Sequence, residues 1–143
     1  MRPPDDELIT KGKGEFFLDR VALGDPKKGE VLVEIKASGV CHTDFDSMSW
    51  NRVCVMGHEG AGVVLACGPA VSNVRPGDRV LLNWAIPCGA CFQCQRGAEN
   101  ICEKKPTVPS ERFRHRDSFI GTSFNLGTMA THTVVPWQAA VKI

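Results

Sequence analysis

Alternation of apolar and polar positions is clearest in Glu30–Ser38, read Glu-Val-Leu-Val-Glu-Ile-Lys-Ala-Ser. It puts Val31, Val33, Ile35 and Ala37 on one face and Leu32, Glu34 and Lys36 on the other, the period of a half-buried strand. Glu15–Leu23 reads as a strand before it, joined through a turn at 25–29 (Asp-Pro-Lys-Lys-Gly). Residues 1–14 are weakly patterned, with Leu8, Ile9 and Thr10 the one candidate strand there. His42–Met48 predicts a short helix, with Thr43 or Asp44 placed to cap it. Gly60–Cys67 is a small-residue strand that a second backbone can approach closely. A turn at 74–78 leads to a strand at 79–84, and further strands are expected at 128–135 and 139–143. Between them lie a cysteine loop at 85–102 and a polar, basic stretch at 103–118 bounded by Pro106 and Pro109.

Many short strands punctuated by turns, with little helix, predict a mainly β chain folded as a barrel or sandwich. There is no internal repeat. Gly57, Gly60 and Gly62 have the wrong spacing for a Gly-x-Gly-x-x-Gly dinucleotide fingerprint, so no Rossmann domain is expected within residues 1–143.

Composition narrows the function classes. A chain of 143 residues with net charge +1 forms one domain with a proper core and gives no case for nucleic acid or a membrane surface as partner. No apolar run approaches the ~20 residues of a membrane span. The acidic, polar start at residues 1–7 is not a signal peptide, which makes the cytoplasm the expected location. Seven cysteines in such a chain favour metal binding, with disulfides and scattered core thiols as the weaker readings.

Four of those cysteines share one loop: Cys88, Cys91, Cys94 and Cys102, at spacings of two, two and seven intervening residues. Zinc takes four thiolates tetrahedrally at ~2.3 Å, and such a closed site is structural because no position is left for water or substrate. Gly89 and Gly97 free the backbone to wrap an ion. A pair of redox disulfides explains the even three-residue steps less well, and the basic and aromatic surface a nucleic-acid zinc module needs is thin.

A second group comprises Cys41-His42-Thr43-Asp44 and Gly57-His58-Glu59, the latter continuing to Gly62, Gly68 and Val71. With Pro76-Gly77-Asp78-Arg79-Val80 and the cysteine loop in the same order, residues 15–143 resemble the zinc-dependent alcohol dehydrogenases of the medium-chain dehydrogenase/reductase superfamily. The resemblance implies a GroES-like, partly open β-barrel with short helices as the catalytic domain, followed in the family by a Rossmann domain. It implies Cys41 and His58 as catalytic zinc ligands and Asp44 as the carboxylate that fixes the imidazole of His58. Glu59 becomes a carboxylate able to exchange onto the metal. Thr43 is implied to hold the substrate hydroxyl and start a proton relay, His42 to meet the coenzyme pyrophosphate, and Trp84 to line the substrate pocket. Each also has a plainer reading: Thr43 as a helix cap, Trp84 as core.

The substrate implied is a small alcohol or aldehyde, interconverted by hydride transfer to NAD(P). The family's third catalytic-zinc cysteine belongs to the coenzyme domain, past Ile143. The expectation is therefore a bound structural zinc, a partial or absent catalytic zinc, NAD(P) only with a second domain, and no turnover by residues 1–143 alone. The relay position two residues after Asp44 is Asp46 rather than a histidine, and the segment between Cys41 and His58 is short. The alternative is a free-standing GroES-like zinc protein with a structural or binding role. Cys54 and Cys67 are expected to be inert core thiols, and His115 and His132 receive no role. Lys104, Lys105, Arg112, Arg114 and Arg116 are expected in a solvated loop.

Overall fold

The computed structural model describes residues 5–104 and 106–143, with the side chains of residues 5–8 and 110 outside the description. Lys105 therefore lies outside the described residues. The strands in chain order are β1 (Asp5–Gly12), β2 (Glu15–Leu23), β3 (Glu30–Ser38), β4 (Cys54–Val55), β5 (Gly60–Cys67) and β6 (Arg79–Leu82). They continue with β7 (Phe113–His115), β8 (Ser118–Phe119), β9 (Gly121–Thr122), β10 (His132–Pro136) and β11 (Ala140–Lys142). The α-helices are short, α1 at His42–Met48 and α2 at Phe92–Gln95.

Two sheets carry the described residues, in the orders β8-β7-β2-β1-β4-β9 and β10-β3-β5-β6-β11. The first is built on the β1–β2 hairpin, whose two-residue turn Lys13-Gly14 takes φ of 59° and 77°, the double positive that matches strand twist. The weak pattern of residues 1–14 thus conceals a full strand from Asp5 to Gly12.

The second sheet is centred on β3, antiparallel to both β5 and β10. Val31 and Val33 join Val64, Val80, Leu82, Ile86, Leu126 and Val135 in one core. Leu32 turns the other way, into a second core with Ile9, Val21, Val55, Phe113 and Val134. The start of β3 is therefore covered on both faces, and Leu32 is buried rather than on the polar face its pattern suggests. At the far end the alternation breaks: the register against β5 shifts between Ile35 and Ala37, and Lys36 and Ala37 are both exposed. A bulge of this kind adds one residue and bends the strand. The two cores wrapped about β3 and β10 give a nearly closed, barrel-like body, mainly β with short helices.

The small-residue strand β5 meets its expectation. A Cβ on Gly62 would collide with the Glu34 carbonyl oxygen and lie 2.8 Å from Val33 Cγ1, so only glycine lets β3 and β5 close at this point. The strand expected at 79–84 ends at Leu82. The one expected at 128–135 begins only at His132, because Thr128 and Met129 donate their N–H groups to the Gly57 and Met56 carbonyls, at 3.1 and 3.0 Å.

The basic stretch departs most from its expectation. Arg112 is buried, its Nε and Nη2 donating to the Glu30 carboxylate at 2.8 and 3.2 Å. His115 Nε2 and Arg116 Nη2 each lie 2.9 Å from Asp19 Oδ2, tying β7 to β2, and they help hold the Asp19 carboxyl well below the usual carboxylate range. Among the described residues no helix is long and apolar enough to cross a membrane.

Candidate metal centres

The cysteine loop folds into a knot of its own. Cys91 is the N-cap of α2, Cys94 lies within it, and Cys102 follows a 3-10 turn at Glu99–Ile101. The four sulfurs lie within 4.8 Å of one another, and none of the seven cysteines forms a disulfide. Cys91 and Cys102 Sγ are 3.9 Å apart, close to the ~3.8 Å edge of a tetrahedron with ~2.3 Å zinc–sulfur bonds. Backbone N–H groups point at the sulfurs: Cys91 N donates to Cys88 Sγ at 3.3 Å, and Cys88 N and Lys104 N donate to Cys102 Sγ at 3.3 and 3.4 Å.

Backbone donors and burial together set the acidities of Cys91 and Cys94 apart. N–H groups of Cys94 and Glu103 hold the Cys91 thiol down to about 6. Burial pushes Cys94 up to about 12, with the neighbouring sulfurs of Cys91 and Cys102 adding to the rise. Four thiolates at this distance repel one another, and a divalent cation removes the conflict. The soft donor set and spacing fit zinc.

The second group is assembled from two segments. Cys41 is the N-cap of α1 and His58 follows Gly57. Gly57 sits at φ 89°, and a Cβ there would lie 2.5 Å from Met129 N, so glycine is required for the segment to lie against 128–129. Gly39 N donates to the Glu59 carbonyl at 2.7 Å, bringing the end of β3 alongside. As a result the ligand atoms of Cys41, His58 and Glu59 lie within 4.8 Å of one another.

Asp44 stands behind both segments. It is the third helical residue rather than the cap, and its Oδ2 accepts the Cys41 N–H at 2.9 Å. Its Oδ1 lies 3.2 Å from His58 Nδ1, with the two side chains 4 % and 6 % exposed. That contact is too poorly aligned for a hydrogen bond, and neither atom has another hydrogen-bond partner among the described residues. Two buried polar atoms left facing each other suit an imidazole whose other nitrogen, Nε2, binds a metal.

The remaining expected site residues fall around this group. Thr43 Oγ1 is 3.6 Å from Cys41 Sγ. His42 is exposed at the helix surface, 3.9 Å from Asp46. Trp84 is half-exposed and lines a cleft of about 370 Å³ together with Gly39, His58, Glu59 and Leu81, so it borders the site rather than the core. Cys54 is wholly buried, its thiol raised by burial, and is not part of the ligand group; Cys67 is half-buried, between the sheet and the Val74 carbonyl. A smaller apolar cleft of about 210 Å³ lies on another side of Asp44, walled by Phe16, Phe45, Met48 and Met129.

Sequence reasoning missed Phe124, whose ring centroid is 4.7 Å from that of His58 and 5.5 Å from those of Trp84 and Trp50. The only signal was local: Asn125 and Gly127 mark a turn, but nothing there points across the fold to His58.

Known proteins resemble this chain over most of its length. The family described as the alcohol dehydrogenase GroES-like domain matches residues 27–143. An NDMA-dependent alcohol dehydrogenase of Amycolatopsis methanolica is 33 % identical over 147 residues, covering 95 % of this chain and 39 % of that protein. An S-(hydroxymethyl)glutathione dehydrogenase of Escherichia coli is 35 % identical over 136 residues, covering 86 % and 37 %. Among solved structures, the benzyl alcohol dehydrogenase of Acinetobacter calcoaceticus superposes with a TM-score of 0.84 at 29 % identity, over 99 % of this chain and 41 % of that one. The chain thus spans about two fifths of the proteins it matches.

Proposed function

This chain belongs to the alcohol dehydrogenase GroES-like domain family, and we propose that it is the zinc-binding catalytic domain of an NAD(P)-dependent alcohol dehydrogenase. The observation that carries this is the convergence of Cys41, His58 and Glu59 beside an open cleft, with Asp44 behind two of them. When bound, zinc supplies Lewis acidity toward an alcohol or carbonyl oxygen, and a nicotinamide on a partner domain supplies the hydride acceptor.

The chain's own residues do the rest. Asp44 fixes the backbone of Cys41 by accepting its N–H and faces the Nδ1 of His58 at 3.2 Å, so that one carboxylate stands behind both ligands. Glu59, the exposed member, offers an oxygen as the third ligand of the group, one that can yield to substrate. Thr43 Oγ1, 3.6 Å from Cys41 Sγ, is placed to accept the proton of the substrate hydroxyl while giving its own proton to solvent water. Trp84 excludes water along one wall of the cleft. His42, exposed on the same helix, is available to a coenzyme phosphate. The four-cysteine knot has no open position, and its role is stability. A carboxylate and two ligands make the Cys41 site the weaker of the two, so this site fills only in part without added metal.

The test is a chimera of residues 1–143 with the nicotinamide-binding domain of a relative. We expect alcohol-dependent reduction of NAD(P), abolished by Cys41→Ala with the fold retained. A folded, zinc-loaded chimera that reduces no coenzyme with any primary or secondary alcohol would favour the free-standing zinc protein instead.

A further inference from the structure

The 3-10 turn at Ser123–Asn125 holds two adjacent non-glycine residues at positive φ, Phe124 at 49° and Asn125 at 60°. L side chains disfavour this region, and bulky ones most of all. Such conformations persist where surrounding structure over-determines them, and they gather at functional sites. Here the determinants are plain. Ser123 and Leu126, on either side, are fully buried, and the Ser123 carbonyl accepts the N–H groups of Leu126 and Gly127 at 2.9 and 3.3 Å. Thr133 Oγ1 donates to the Leu126 carbonyl. The turn is pinned, and the pinning delivers one ring.

That ring meets three others. It lies tilted at 47° against the His58 imidazole, 58° against Trp50 and nearly edge-on, at 65°, against Trp84, geometries that aromatic pairs favour. The contact to His58 is the informative one. The carboxylate that faces His58 Nδ1 is poorly aligned, so it does not by itself fix the plane of the imidazole. The tilted Phe124 ring, its centroid 4.7 Å from that of the imidazole, is placed to restrict that plane. Through Trp84 it also braces the wall of the cleft beside Glu59.

We propose that Phe124 is a positioning residue that sets the plane of the His58 imidazole for metal binding and braces Trp84 as the cleft wall. The inference rests on Cys41, His58 and Glu59 forming a metal site.

The test is ¹¹³Cd NMR of the whole chain loaded with cadmium, in which a four-sulfur site and a one-sulfur site give well-separated resonances. The comparison uses Phe124→Gly, which removes the ring while suiting the positive φ, and Phe124→Tyr, which restores the ring. In Phe124→Gly we expect the one-sulfur resonance to move and its cadmium affinity to fall ~10-fold, on the scale of lost support around a ligand. The four-sulfur resonance should stay in place, and Phe124→Tyr should return the first to its original position. An unmoved one-sulfur resonance with unchanged affinity overturns the inference and leaves the proposed function standing. Loss of both resonances in Phe124→Gly makes the residue general packing and also overturns it. Absence of a one-sulfur resonance in the unsubstituted chain overturns both.

Discussion

Asp44 Oδ2 accepts the backbone N–H of Cys41 at 2.9 Å while its Oδ1 faces His58 Nδ1 at 3.2 Å. One buried carboxylate thereby couples the first turn of α1 to a segment from the other side of a loop. Asp44→Ala removes both contacts. Metal affinity at the Cys41 group is expected to fall roughly 10–100-fold, as it does when an outer carboxylate is lost. The loss of the helix-end bond costs about 1 kcal/mol of stability besides. Titration with cobalt, after filling the four-cysteine site with zinc, measures the first; urea unfolding measures the second.

The cysteine knot predicts a pH dependence with a definite sign. Near neutral pH Cys91, held down to about 6, is already a thiolate, whereas Cys94, pushed up to about 12, keeps its proton. Zinc must displace that proton, so the apparent affinity drops about 10-fold for each pH unit of acidification from the Cys94 proton alone. Below about 6 the fall steepens as Cys91 protonates too. Competition with a chelator of known affinity across pH 5.5 to 8, together with proton release on zinc addition, checks both the sign and the break.

Arg112 and Glu30 form a two-pronged ion pair with each side chain 9 % exposed. Removing one partner leaves a buried charge, and Arg112→Leu is expected to cost about 3–5 kcal/mol in denaturant unfolding. The double variant Glu30→Met with Arg112→Leu should recover part of the loss, because it removes the unpaired buried charge but also the acceptor of the Lys27 N–H at 2.8 Å.

What could be read in advance follows from how local each signal is. β2, β3, α1 and β5 appear with the bounds their patterns predict, because alternation and helix ends are set by near neighbours. The cysteines group as their spacing suggests, since a loop of that length brings them together. The misses are contacts between distant residues. Nothing near Arg112 indicates that Glu30, 82 positions earlier, waits for it in the interior. The bulge that exposes Ala37 depends on β5, not on the sequence of β3. Phe124 reaches His58 through a strained turn with no periodic signature. Glu59 was legible as a carboxylate near the site, but its convergence with Cys41 and His58 is a fact of the fold.

The most direct test of the account is the zinc content of the purified chain and two variants after dialysis against a weak chelator. The unsubstituted chain and Cys41→Ser should each retain one zinc per chain, and Cys94→Ser none. A second zinc should enter the unsubstituted chain only when free zinc is supplied, and should fail to enter Cys41→Ser. Zinc retained in full by Cys94→Ser, or two zincs held equally tightly by the unsubstituted chain, would contradict the division into one closed site and one open one.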